Sequence, residues 1–201
     1  LPLSATIVEI PSDIFDGLAD QDSLNTRLLE FDAEAPTTRW RHSAVTLRNC
    51  LDVILVFGGR NATTVFSELW ALHVESQRWE RFETSTSICP CARHSHAAVA
   101  IESDVFSISG DAAEEWVSVM LMSGGIDQHE NPLDDIFVLE QETHHMEFRW
   151  RQLHLQGLLP RFGHTIHIWQ DFVVLVGGVS PSVLGAEGPL EWWRVLSDKS
   201  S

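Results

Sequence analysis

The chain has 201 residues, of which 44% are hydrophobic, and a formal net charge of −16. This hydrophobic content is typical of a globular domain and excludes a disordered chain, and no apolar run approaches the roughly 20 residues of a membrane span. The acidic balance argues against a segment that grips nucleic acid through many Lys and Arg, although a local group of arginines on one rim can still meet a phosphate. Because the chain starts at Leu1 with no basic-then-apolar leader, no signal peptide is expected.

The first 35 residues are interpreted as a linker or N-terminal extension. Ala5–Ile10 is a candidate strand that ends before Pro11. A helical turn capped by Ser12 is expected next, since Ser is a favoured N-cap residue, and Asp22–Phe31 forms either a further turn or a strand. No pattern in this region predicts chemistry.

A unit of four short β-prone runs follows the linker. Gly, Asn, Ser and charged residues separate the runs, as is typical of strands joined by turns. The runs are Arg41–Leu47, Asp52–Phe57 (followed by Gly58-Gly59), Glu68–Val74 and Arg78–Phe82.

The same unit recurs twice, once in full and once in part. The second copy has runs at Arg93–Ala100, Val117–Ser123, Asp135–Leu139 and Phe148–Leu153, and the third has runs at Arg161–His167 and Phe172–Val176. The Gly pairs begin at residues 58, 124 and 177, so they are 66 and 53 residues apart, and the longer interval is attributed to an acidic insertion, Glu102–Glu115. A period of about 50 residues with four strands is that of a kelch β-propeller blade.

The residue types fit such a unit. An apolar run that ends in Gly-Gly predicts a buried strand followed by a tight turn with positive φ or close backbone approach. Trp79 and Trp150, near the ends of the first two units, offer large apolar surfaces for packing between stacked sheets. Since one sheet cannot bury both of its faces, neighbouring units have to cover it.

The tail, residues 181–201, is irregular. Pro181–Gly188 is rich in Gly, Pro and Ser, Glu191–Leu196 resembles a poor third strand, and no fourth strand follows. Propellers close with four to eight blades, so repeats at 36–180 that form two full blades and part of a third predict an open arc. The expected fold class is therefore all-β, a fragment of a kelch-type β-propeller.

Cys50, Cys89 and Cys91 are an odd number of cysteines. This indicates a reducing compartment, the cytoplasm, in preference to a disulfide framework. Cys89-Pro90-Cys91 followed by His94 and His96 has the residue types of a zinc site, but no second ligand pair has a zinc-finger spacing, so ordinary loop cysteines are favoured over a metal.

Arg and His recur at the start of each unit, and two interpretations remain open. In the first, these side chains pair with backbone carbonyls or acids of neighbouring units and are structural. In the second, they line a central rim that contacts a partner or a substrate. The candidate rim residues are Arg41, His42, Arg93, His94, His96, Arg161 and His164.

A catalytic site within the chain is not predicted. Ser and His are neighbours at His42-Ser43 and at His94-Ser95-His96, but sequence neighbours point to opposite faces of a strand, so adjacency does not make a catalytic pair. His144-His145 is expected in a solvated turn.

The double-Gly strands and the following Trp resemble the kelch family. Five runs together are similar to the C-terminal kelch portion of the wybutosine-synthesising tRNA methyltransferases, the leucine carboxyl methyltransferase 2 group. The resemblance covers about residues 36–180. Its runs are Trp40–Ser43, Val56–Arg60, Ala92–His96, Pro160–Thr165 and Leu175–Gly178.

The resemblance implies a longer protein with an N-terminal, S-adenosylmethionine-dependent methyltransferase domain that methylates and methoxycarbonylates the modified guanosine of phenylalanine tRNA. This chain contains no glycine-rich strand–turn–helix segment for S-adenosylmethionine, so no catalytic, cofactor or metal residue is assigned to it. The segment is then a platform for the substrate or for the methyltransferase domain. The alternative is a generic kelch scaffold or adaptor that binds another protein. Neither interpretation involves a membrane.

Overall fold

The computed structural model describes residues 5–9, 25–29, 31, 34–47, 53–84, 88–101, 116–142, 147–170, 172–181 and 191–194. All regular structure within them is antiparallel β-sheet, with no helix, so the prediction of an all-β chain is confirmed. None of the described residues forms a helix that is long and apolar enough to cross a membrane. The predicted turn at Ser12, the insertion Glu102–Glu115, the His144-His145 turn and Cys50 lie outside the described residues.

The N-terminal region contributes a β-hairpin. Strand β1 (Ala5–Glu9) pairs with β2 (Asn25–Leu29) in a two-stranded sheet. Leu29 is buried, and Phe31 packs its ring 5.7 Å from that of Trp79. The segment interpreted as a linker therefore supplies apolar contacts to the first unit.

The first repeat unit is a four-stranded antiparallel sheet in which every strand pairs with the next one along the chain. The registers join Val45 to Leu55 and Ala71 to Glu80. All four predicted runs of this unit form strands. They are β3 (Ser43–Leu47), β4 (Val53–Phe57), β5 (Leu69–His73) and β6 (Arg78–Phe82).

The second unit repeats this order and adds a short side ladder. The ladder joins β7 (Arg93–His94) to β10 (Ile126–Asp127), and a register shift interrupts the pairing of the long strands at Leu139/Glu140. The sheet itself has the order β12-β11-β9-β8. Its strands are β8 (Ala97–Ala100), β9 (Trp116–Ser123), β11 (Ile136–Glu142) and β12 (Phe148–Leu153).

The third unit has three strands among the described residues. Strand β13 (Thr165–Trp169) pairs with β14 (Phe172–Val176), which pairs in turn with β15 (Glu191–Arg194). The third strand that the sequence indicated at Glu191–Leu196 is thus present. No sheet closes on itself within the described part of the chain.

The core consists of three apolar layers, two between neighbouring units and one between the N-terminal hairpin and the first unit. Successive residues of a strand point to opposite faces, so Leu55 and Phe57 pack towards the second unit while Val56 packs towards the N-terminal hairpin. Likewise Met120 and Met122 face the first unit, and a separate cluster around Leu121 faces the third. The units therefore stack face to face, and each covers its neighbour.

Trp79 and Trp150 lie in these layers, as predicted. Trp150 is buried and makes edge contacts with Phe57 and Phe137, at centroid distances of 5.1 and 6.2 Å. Trp79 is buried in the layer below the N-terminal hairpin. Large aromatic side chains contribute much of the apolar area that such interfaces bury.

Candidate functional site

The start of each unit carries the pattern Arg-x-x-His. The pairs are Arg39 and His42, Arg93 and His96, and Arg161 and His164. Matching Arg41 with Arg93 was therefore wrong by two residues. Arg41 is instead equivalent to Ser95 and Gly163. All three residues have positive φ, which is 58° at Arg41, and each directly precedes the histidine of its unit.

Arg93 is fully buried and is held on several sides. Its guanidinium binds both carboxylate oxygens of Asp135, at 2.5 and 2.7 Å, and donates to the carbonyl oxygens of Gly124 and Cys91. Burial lowers the pKa of Arg93, but its bonds to Asp135 outweigh that effect and raise the pKa above its usual value. A buried charge needs such partners, so Arg93 is a structural residue.

Arg39 and Arg161 repeat part of this arrangement. Arg39 donates to the Gly58 carbonyl oxygen at 3.2 Å and to Glu68 at 2.7 Å, and Arg161 donates to the Gly177 carbonyl oxygen at 2.5 Å. In all three units, the arginine thus binds the carbonyl group of the first glycine of the Gly pair. Arg93 and Arg161, two of the predicted rim residues, are both buried.

Two histidines of the pattern, His96 and His164, lie between units. A Cβ added to Gly58 would lie 3.0 Å from His96 Cε1, so the ring of the second unit packs against the Gly pair of the first. His96 Nε2 lies 2.8 Å from Ser43 Oγ. Burial, with Arg93 nearby, lowers the pKa of His96 to about 3.

His164 has the equivalent place one unit later. It packs against Gly124, and burial followed by the charge of Arg161 lowers its pKa to about 4. His42 is half-buried, and its pKa is lowered by burial and by Arg39. All three imidazoles are therefore neutral at pH 7, which suits packing between sheets better than binding an anion.

The Ser43–His96 pair does not form a catalytic dyad. A base with a pKa of about 3 cannot hold a serine proton at neutral pH. His96 Nδ1 is buried and has no hydrogen-bond partner among the described residues, so no carboxylate orients the ring. The pair instead links the first unit to the second.

Backbone hydrogen bonds join the units in a row next to these histidines. The Ser95 N–H donates to the Arg41 carbonyl oxygen at 2.9 Å, and the Gly163 N–H donates to the Ser95 carbonyl oxygen at 2.8 Å. The three residues with positive φ thus form a linking row. The side chain of Arg41, the first residue of this row, is exposed to solvent.

An exposed patch surrounds the first position of the linking row. Trp40 and Arg60 form an antiparallel bridge with N···O distances of 2.8 and 2.9 Å, so their side chains lie beside each other. The Arg60 guanidinium extends to the second unit, where Nη1 lies 3.4 Å from His94 Nε2 and 3.2 Å from Glu130. These four residues and Arg41 are called the Trp40–Arg60 patch below.

His94 is a buried, neutral floor of this patch. Its Nδ1 lies 3.0 Å from Ser95 Oγ, and because Arg60 can only donate, Nε2 accepts and Nδ1–H donates to the serine. Burial lowers the pKa of His94, and the charge of Arg60 adds to that effect. The charge of Arg41 also lowers the pKa of His94, so these two predicted rim residues lie close together, with His94 buried and Arg41 exposed.

Arg41 differs from the other arginines whose side chains the structure describes. Each of the other side chains makes at least one hydrogen bond or ion pair, whereas the Arg41 side chain makes neither with the described residues. Its positive φ costs about 1 kcal/mol or more in any residue except glycine. The third unit places Gly163 in this position, so the fold does not require an arginine here.

The cysteine loop places the thiols of Cys89 and Cys91 at the surface. Cys91 Sγ lies 3.4 Å from Arg93 Nη2, and Cys89 Sγ lies 3.0 Å from Thr84 Oγ1. No group of three potential metal ligands occurs within the described residues. His94 and His96 are engaged with Arg60 and Ser43 respectively.

Comparison with known proteins adds to this geometry. A stretch of 144 residues, 70% of the chain, is 34% identical to a protein of Rattus norvegicus and 31% identical to one of Homo sapiens, both named tRNA wybutosine-synthesizing protein 4. The chain is similar to tRNA wybutosine-synthesizing protein 4. The match covers 18% of each mammalian protein, so the chain spans less than a fifth of their length. No protein-family model matches the chain.

A third relative has a different name. Over 181 residues, or 88% of the chain, the sequence is 26% identical to the Rho GTPase-activating protein gacHH of Dictyostelium discoideum, of which this covers 11%. The sequence identity is higher to tRNA wybutosine-synthesizing protein 4, whereas the match to gacHH covers more of this chain.

Sequence reasoning did not assign Arg39, Arg60, Trp40 or Glu130 to a site. Arg39 could have been found from the three-residue spacing between Arg and His, which all three units keep. Arg60 follows the Gly pair directly, but its contact with Glu130 joins residues 70 positions apart. No local signal in the sequence predicts that contact.

Proposed function

We propose that the stacked sheets are blades of a kelch-type β-propeller, with two full blades and part of a third. The support is the repeated four-stranded order, the Gly pair after each second strand, and the face-to-face packing of neighbouring units. In this proposal β1 and β2 are the outer strands of a preceding blade. They precede Arg39 as β5 and β6 precede Arg93.

The propeller segment is the kelch portion of a protein that acts in wybutosine biosynthesis on phenylalanine tRNA. The observation that carries this proposal is the 34% identity to tRNA wybutosine-synthesizing protein 4 over 70% of the chain. The segment serves as a platform for the substrate or for a methyltransferase domain. S-adenosylmethionine and the methylation and methoxycarbonylation chemistry belong to that domain, and the protein acts in the cytoplasm.

A chimera tests this function. The matching segment of the rat protein is replaced by this chain, and the chimera is expressed in cells that lack their own copy of the protein. Mass spectrometry of digested phenylalanine tRNA then measures wybutosine. We expect wybutosine to return with the chimera and to stay absent when the segment is deleted.

The chimera needs a control for folding. A chimera that is soluble and binds S-adenosylmethionine but makes no wybutosine contradicts the proposal. Restoration by the methyltransferase part without any kelch segment also contradicts it, since the segment would then have no role as a platform.

The second candidate is a scaffold that binds another protein, and the similarity to gacHH over 88% of the chain favours it. An inactive chimera together with stable capture of a protein other than a methyltransferase supports this alternative. The buried Arg-x-x-His elements are compatible with both functions because they hold the sheets together.

A further inference from the structure

The Trp40–Arg60 patch has features that the fold does not account for. Arg41 is exposed, and its side chain makes no hydrogen bond or ion pair with the described residues, although its carbonyl oxygen accepts from the Ser95 N–H. Ser95 and Gly163 have the same positive φ in the other units. The linking row accounts for the positive φ, but Ser95 and Gly163 show that it does not require a guanidinium at this position. The Arg41 side chain is therefore available to a ligand.

The chemistry of the patch selects the ligand. Trp40 is 47% exposed, so its indole ring is available to a flat partner. Arg41 adds a guanidinium that makes no ion pair with the described residues. Arg60 adds a second guanidinium, and its side chain is 27% exposed. An aromatic ring beside two guanidinium groups is suited to a nucleotide, whose base stacks on the ring and whose phosphate binds the arginines.

Position in the molecule supports the same ligand. The patch spans two units, because Arg60 of the first unit contacts His94 and Glu130 of the second. It lies beside the linking row, where the units join through backbone hydrogen bonds. The net charge of −16 repels RNA from the chain as a whole. RNA is therefore expected to bind only at a small cationic patch, where an aromatic contact adds to the attraction.

We infer that Trp40, Arg41 and Arg60 form a binding site for single-stranded RNA, with Trp40 as the stacking surface and Arg41 as the phosphate contact. This inference rests on the proposed function, which it deepens by assigning the RNA contact to named residues of the kelch segment. Glu130 acts against the ligand, because its carboxylate occupies one face of Arg60 and repels phosphate.

Fluorescence anisotropy of a labelled 12-nucleotide single-stranded RNA with the full 201-residue chain tests the inference. We expect Arg41→Gly and Trp40→Ala each to weaken binding at least fivefold, and Glu130→Gln to strengthen it about twofold. Arg78→Ala is the matched control, since Arg78 is also exposed but pairs with Glu80 on β6, and it should change binding less than twofold. Arg41→Gly and Arg41→Ser give the first unit the residue types that the third and second units have at this position, Gly163 and Ser95. Both variants should therefore be at least as stable to urea as the parent chain.

The outcomes separate the inference from the proposed function. Equal binding by the Arg41→Gly variant and the parent overturns the inference, as does preference for an acidic peptide over RNA. If the Arg41→Gly chimera restores wybutosine as well as the parent chimera, the inference fails while the proposed function stands. If binding depends on Arg41 but no chimera restores wybutosine, the proposed function fails and the RNA site stands.

Discussion

The first and second units place an arginine in the same position but surround it differently. Arg93 binds both oxygens of Asp135, whereas Arg39 binds a single oxygen of Glu68. Glu68 also accepts from Trp70 and lies 3.7 Å from Arg81. Both arginines donate to the carbonyl oxygen of the first glycine, and in both the Nε atom donates to the carbonyl oxygen two residues earlier, that of Thr37 or Cys91.

This difference separates what the fold requires from what each unit adds. The carbonyl bond recurs at Arg161, so it belongs to the architecture. The acid varies in type and geometry, and it makes Arg93 the more tightly held of the two. Arg93 also supplies the carbonyl oxygen that accepts from the Gly59 N–H at 2.9 Å, so its position affects the neighbouring unit.

The largest expected effect is that of Arg93→Met. The substitution leaves Asp135 without its cation, with only 16% of its side chain exposed, and breaking a buried ion pair on one side costs about 3–5 kcal/mol. Arg39→Met should lower the free energy of unfolding by less, because Glu68 keeps its contacts with Trp70 and Arg81. Urea unfolding followed by Trp fluorescence measures both.

Arg78→Met is the control for this pair. Arg78 is exposed and pairs only with Glu80 in its sheet, so its loss should change stability by about 0.5 kcal/mol or less. If Arg39→Met were as damaging as Arg93→Met, the bidentate acid would not be what distinguishes the two units.

A second expected effect is a loss of stability in acid. His96 and His164 have pKa values of about 3 and about 4 in the folded chain, below the ordinary value of 6.5. Between these values and 6.5 the unfolded chain binds more protons, so the free energy of unfolding falls as the pH falls. From pH 7 to pH 5.5, each histidine should contribute a loss of about 1 kcal/mol.

His164→Leu isolates one of these contributions. The variant lacks the titrating ring, so its stability should fall less between pH 7 and pH 5.5 than that of the parent, by about 1 kcal/mol. Urea titrations at the two pH values give this difference. An identical pH dependence in the variant and the parent would show that His164 is not buried as a neutral ring.

Much of the fold follows from short-range patterns. The strands were predicted because each apolar run is bounded by turn residues, and the Gly pairs of all three units have positive φ. The equivalence of Arg39 and Arg93 was missed because the tripeptide Arg-His-Ser occurs at Arg41 and at Arg93. The spacing to the histidine was the better guide, since it fixes where the first strand begins.

The candidate site was less accessible from sequence. Arg41, Ser95 and Gly163 share one backbone conformation with three different side chains, so no residue type signals it. Ser43 was considered beside His42 in sequence, while in the structure its partner is His96, 53 residues away. Such contacts depend on how two units stack, which local patterns do not determine.

Two glycines sharpen the comparison between a contact position and an open one. A Cβ at Gly58 would lie 2.7 Å from the Arg93 carbonyl oxygen, whereas one at Gly163 would meet no atom within 4 Å. Both residues have positive φ, at 66° and 67°. Gly163→Ala should therefore cost only the backbone strain, about 1 kcal/mol, and Gly58→Ala about 1–3 kcal/mol more for the clash. Equal losses in urea unfolding would mean that the second unit moves away freely.

Two further effects concern the two unit interfaces. His96 has Ser43 as a hydrogen-bond partner, whereas His164 faces the second unit, where the residue equivalent to Ser43 is Ala97, and neither nitrogen of His164 has a partner among the described residues. Ser43→Ala should therefore lower the free energy of unfolding by about 1–2 kcal/mol, since it leaves His96 Nε2 unsatisfied.

Ala97→Ser should raise the free energy of unfolding by about 1 kcal/mol, because the new hydroxyl gives His164 a hydrogen-bond partner. Ala98→Ser, on the following residue and the opposite face of β8, is the matched control. A stabilisation by Ala98→Ser equal to that by Ala97→Ser would show that the gain does not come from His164.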